Sequence, residues 1–141
     1  MTIETQITEY INIQPEPKRS EMLKLHSIIL ELKPECKLWF LDGVNDENKT
    51  VSNPNIGYGF QNLAYANGRT REFYQIGMSA NNTGISIYII GLNDKNYLPK
   101  TCENKIGKAK VSSYCIKFKS LKDINLDVLK EAILFGFVTQ I

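Results

Sequence analysis

One histidine, three cysteines and a scatter of acids bound the chemistry open to this chain. His26 excludes a two-histidine metal site, and any Cys-His or Ser-His nucleophile would have to use this ring. It falls at helical spacing between Met22 and Ile29, inside an apolar arc, where a half-buried packing role is expected. Cys36, Cys102 and Cys115 are odd in number, widely spaced and free of any CxxC pattern. That disfavours both a disulfide framework and a thiolate metal centre, and Cys115 is expected to act mainly as a small hydrophobe. Asp42, Asp46, Glu47, Asp94 and Glu103 could offer hard oxygen ligands to iron or magnesium. They show no ligand spacing and read as solvated loop acids, so no metal and no cofactor is expected.

Lysine and tyrosine carry the remaining signals. Lys105, Lys108 and Lys110 surround Gly107, which reads first as a solvated basic turn; converging amides and ammonium groups there could also hold an anion, with Lys108 and Lys110 as the candidate contacts. The GKAK run is not a phosphate-binding P-loop, since it lacks the upstream glycine and the hydroxyl after lysine. Residues 73–92, FYQIGMSANNTGISIYIIGL, read as a hairpin turning at Asn81-Asn82. Met78 is then expected opposite Ile85, Ile76 opposite Ile87 and Tyr74 opposite Ile89 on a core face. Gln75 opposite Tyr88, Phe73 opposite Ile90 and Gly77 opposite Ser86 would form a second face, with Trp39 and Tyr58 at its rim. Such a face is too apolar to lie bare and too polar for ordinary core, so chain, a second subunit or a ligand should cover it.

The elements that must position these residues are legible as periodicities. Thr2 can cap a first helix with Ile3, Ile7, Tyr10 and Ile11 at helical spacing, and Pro15 and Pro17 separate it from a second over 17–32. In the second, Met22, Leu25, Ile29 and Leu32 form a stripe that Leu23, Ile28 and Leu30 widen, as suits a helix packed on a sheet. Residues 37–41 read as a strand, 42–55 as a long polar loop that is either a functional flap or an elaborated hairpin, and 56–66 as extended chain that Asn67-Gly68 turns toward the central hairpin. Pro99 is placed to start a helical turn. Tyr114, Ile116 and Phe118 are assigned to the core side of a further strand, and Ser113, Cys115 and Lys117 to the other. Asn125 can cap a last helix whose buried stripe is Leu126, Leu129, Ile133 and Phe137. Strands joined by hairpin-length turns predict an antiparallel sheet of about five strands with two N-terminal helices and one C-terminal helix, an α+β fold.

A chain of 141 residues suits one domain, 1–141. Seventeen Lys and Arg against 15 Asp and Glu give +2, too mild to imply nucleic acid from bulk charge. With no secretion signal in MTIETQITEY and no membrane-length apolar run, a cytoplasmic location without membrane attachment is expected.

The stretches LKLHSIILELKPE, NIGYGF, REFYQIGMSANNTGISIYIIG, the Gly107-Lys108 turn and YCIKFKSLKDINLDVLKEAI together resemble the YdhG-like family, a bacterial domain family of mostly unassigned function. The similarity covers nearly the whole chain, as pattern and not as catalytic motif. It implies an α+β fold akin to secretion-chaperone domains. Because one member has been proposed as a frataxin-like iron chaperone, it also implies iron handling as the alternative function. Many members carry Trp-Gly-x-Pro before the second strand; here Phe40, Leu41 and Asp42 separate Trp39 from Gly43, and no proline follows at that spacing. The leading expectation is a non-enzymatic domain binding a small molecule or partner protein on the second face, with homodimerisation open. An enzyme of unfamiliar type built on Tyr, Gln and Lys ranks third.

Overall fold

β-branched residues at every second position build the centre of the molecule. The computed structural model describes residues 2–138. Helices α1 (Ile3–Asn12) and α2 (Lys18–Leu32) precede strands β1 (Leu38–Leu41), β2 (Asn55–Tyr58), β3 (Gln61–Ala64), β4 (Thr70–Phe73), β5 (Ile76–Asn81) and β6 (Gly84–Ile89). Helix α3 (Tyr97–Cys102), strands β7 (Ala109–Val111) and β8 (Cys115–Phe118) and helix α4 (Leu126–Val138) follow. Six strands form one antiparallel sheet in the order β1-β2-β5-β6-β8-β7, while β3 and β4 make a separate two-stranded ribbon. The fold is therefore α+β, with one more strand in the main sheet than periodicity indicates and with Asn67-Gly68 closing the side ribbon.

Ile56, Tyr58, Ile76, Met78, Ile85, Ile87, Ile89 and Ile116 project from one face of the sheet and are fully buried. Met22, Leu25 and Ile29 of α2, Leu129 and Ile133 of α4, and Ile7 and Ile11 of α1 complete that core. Leu23, which spacing alone places in the apolar arc of α2, is exposed. The caps follow the sequence: Thr2 Oγ1 accepts from the Thr5 amide at 3.1 Å, and Asn125 Oδ1 accepts from the amides of Asp127 and Val128. Residues 42–54 form an elaborated β1–β2 hairpin, tied by a Val44–Thr50 bridge and by side-chain turns at Asp42 and Asn45.

The central hairpin turns one residue later than expected. Asn81 pairs with Gly84 across a two-residue loop, Asn82-Thr83. The Asn81 side chain closes the turn, accepting from the Thr83 amide and donating to Ser86 Oγ at 2.8 Å. Gly84 has φ +153°, and a Cβ there would lie 2.7 Å from Lys119 Cα, so β8 can approach only a glycine. Ile76 thus faces Ile89, Met78 faces Ile87 and Ala80 faces Ile85. The pairing slides by two residues, which keeps the side chains of β5 and β6 on their expected faces because strand side chains repeat every two.

Ile87, flanked by Met78 and Ile116, has no exposed surface. Ile87→Ala should lower unfolding free energy by about 2–5 kcal/mol, the range for emptying a closed aliphatic site. An unchanged denaturation midpoint in a urea titration would contradict this packing.

Candidate functional site

The second face of the sheet is in two halves. Gly57 and Gly77 pair directly and leave a floor without side chains. The Tyr74 ring lies on that floor: a Cβ on Gly77 would come 2.7 Å from its Cε1, and a Cβ on Gly57 would also collide with it. Phe73 stacks on Tyr74 at 4.1 Å, Arg71 caps Phe73 at 4.4 Å, and Trp39 meets Phe73 edge-on. Trp39 is further fixed by its indole N–H donating to the Gly59 carbonyl at 2.7 Å and by the Lys37 ammonium over its ring. The chain itself closes this half.

The other half stays open. Tyr88 on β6 pairs with Cys115 on β8, and Lys117 pairs with Lys110 on β7. These four residues, with Val111, Ser112 and Tyr114, line a hollow of about 290 Å³. Tyr88 and Tyr114 lie nearly parallel, 13° apart with ring centroids separated by 6.4 Å. Burial pushes the Cys115 thiol up, against the opposing pull of Lys117 and a hydrogen bond from Ser86. Burial likewise raises the Tyr88 phenol, helped by Cys115. Both groups are neutral near pH 7, so the formal charges lining the hollow are the two ammonium groups. Neither lysine joins a salt bridge among the described residues.

Of the residues singled out from sequence, Tyr88 and Lys110 come together here and the others do not. Tyr58 lies on the helix face instead of the second-face rim, fully buried, with its hydroxyl 2.7 Å from His26 Nδ1. The reason is parity: Tyr58 alternates with Gly57, and it is Gly57 that faces outward. Gln75 does not oppose Tyr88, whose partner is Gly77. The backbone bends at residues 74–75 between β4 and β5, turning the Gln75 amide to the Phe60 N–H and the Phe137 carbonyl at 3.3 Å each. The same bend takes Tyr74 off the core face. Trp39 belongs to the closed half. Lys108 is exposed but absent from the hollow's lining, and its amide donates to the Asp123 carbonyl, so that nitrogen is not free to cradle an anion at Gly107.

Tyr114 and Lys117 complete the hollow but were not among the residues favoured from sequence. Tyr114, assigned to the core by alternation, is 53% exposed, because β8 starts only at Cys115 and Tyr114 sits in the preceding turn. Lys117 could have been found, since alternation puts it on the face of Cys115. Gln61 was also missed; its Nε2 donates to the Tyr74 and Ile90 carbonyls, both at 2.9 Å, and holds the bend. Among the described residues, no three of His, Cys, Asp and Glu converge as a metal-ligand group. No described helix is long and apolar enough to cross a membrane. In comparisons with known proteins, no family model, curated protein or solved structure matches the chain.

His26 is the one imidazole, and burial holds it below its ordinary 6.5. As pH falls through that value the unfolded chain takes up the proton before the folded one, so stability should drop. Denaturation midpoints should decline between about pH 7.5 and 5.5, above the main carboxylate range. His26→Asn, which keeps an amide near the Nδ1 position facing Tyr58, should flatten that decline; an unaltered slope would assign it to other groups.

Proposed function

We propose that the chain is a cytoplasmic, non-enzymatic binding module that takes a small anionic molecule in the hollow formed by Tyr88, Lys110, Tyr114, Cys115 and Lys117. One observation carries the reading: Lys110 stands directly opposite Lys117 on the same face, beside that hollow, with no salt-bridge partner among the described residues. Like charges directly opposed across strands are destabilising, and an anion between them removes the cost. The two phenol rings supply apolar contact area with polar tips, a common lining of small-molecule sites. Three unpaired cysteines suit a reducing compartment. The YdhG-like resemblance is one of fold pattern and not of catalytic motif, and is compatible with this role. Iron handling has no ligand group among the described residues to support it.

Lys117→Glu should have opposite effects on stability and binding. It replaces a repulsive cross-strand pair with an attractive one, so the free protein should gain up to about 1 kcal/mol at low salt. Inorganic phosphate, titrated while backbone amide resonances are followed, should give saturable shifts centred on Tyr88, Lys110 and Lys117 in the parent protein and none in the variant. Shifts that are absent, scattered or equal in both proteins would discard the site.

A further inference from the structure

We infer that the ligand of this hollow is a phosphate monoester carried on a single planar ring, an inference that rests on the hollow being the binding site. The charge argument comes from the strand register. Directly opposed residues on neighbouring strands have Cβ atoms about 5 Å apart, within the reach of two flexible lysine arms converging on one group. A single doubly charged group neutralises both ammonium ions, whereas a carboxylate or sulfate ester leaves one uncompensated. Phosphate also presents three acceptor oxygens to two ammonium groups and to the hydroxyl-bearing residues that line the same hollow, Tyr88, Tyr114 and Ser112.

The ring argument comes from the tyrosines. Elsewhere in the protein, stacked rings sit in close contact, Phe73 on Tyr74 at 4.1 Å and Tyr97 on Phe135 at 3.7 Å. Tyr88 and Tyr114 are also near-parallel, at 13°, but their centroids are 6.4 Å apart, so each keeps area that the other does not cover. Tyr114 makes this contact while 53% exposed, outside the core. A flat group stacking on these rings gains what stacked aromatics ordinarily gain. Volume limits the choice further. About 290 Å³ is at the small end of ligand pockets and suits one ring system with one phosphoryl group, not a dinucleotide.

Calorimetric titrations with three probes separate the parts: phenyl phosphate, phenyl sulfate of the same shape but one charge, and methyl phosphate without a ring. Phenyl phosphate should bind tightest, by about tenfold over each of the others, a difference of the size expected for one charge-assisted contact or one stacked ring. Its affinity should rise from pH 5 to pH 8, as the second phosphate proton leaves at about pH 6. Phenyl sulfate should bind equally at both. Lys117→Gln should lower phenyl phosphate to the level of phenyl sulfate, and Tyr114→Leu, at an exposed position, should lower it to the level of methyl phosphate. Equal, pH-independent binding of phenyl phosphate and phenyl sulfate would overturn the dianion while leaving an anion site intact. Equal binding of phenyl phosphate and methyl phosphate would overturn the ring. If none of the three binds to the folded protein, the anion-binding function fails with the inference.

Discussion

A tyrosine ring resting on two glycines is the contact on which the rest of this structure depends. Gly57 and Gly77 face each other on adjacent strands, and only the lack of a side chain at both lets the Tyr74 ring lie flat against the sheet. An alanine at either would place a methyl group inside van der Waals range of the ring and lift it. Tyr74 can reach this place because the chain bends between β4 and β5, and the bend is held by amides instead of a strand ladder. Gln61 donates to the Tyr74 and Ile90 carbonyls, and Gln75 joins the Phe60 amide to the end of α4. Both glutamines are almost fully buried, so an unpaired amide at either would carry a desolvation cost.

That one contact decides what each face of the sheet can do. The helix face is closed by apolar packing from all four helices, Leu98 of α3 included. On the other face, Tyr74, Phe73 and Trp39 seal the β1-β2-β5 side, and the β3–β4 ribbon they belong to or touch is carried out of the main sheet. No aromatic from the ribbon extends over β6, β8 and β7 in the same way. The hollow at Tyr88 is thus bounded by the reach of a self-covering device, which is why its floor mixes a buried thiol with charged, exposed lysines.

Much of this fold is legible in the sequence because its signals are local. Caps at Thr2 and Asn125 and the alternation of the central strands need only neighbours within a few residues. The two-residue slip of the central hairpin preserves facing in β5 and β6, since the Asn81–Gly84 turn moves along the same parity. The errors lie where distant groups decide. Gln75 is turned by Phe137, 62 positions away, and no periodicity encodes that bond. Tyr58 faces the core because Gly57 must face Tyr74, a pairing visible only when β2 and β5 are side by side. Tyr114 looked like core because alternation was extended one residue beyond the end of β8. The site was legible to the same extent: Tyr88 and Lys110 have signals of their own, whereas the Lys110–Lys117 opposition exists only once the strand order β8-β7 is known.

The lysine pair also bears on stability. Lysine on an edge strand such as β7 is a common guard against pairing with other chains, and that alone explains Lys110. It does not explain Lys117, which lies on β8 between β6 and β7 and gains nothing from guarding an edge already occupied. An acidic residue at 117 would relieve the repulsion locally and keep the edge lysine in place. On the proposed reading, a bound anion would supply the interaction that the two opposed lysines lack in the free protein.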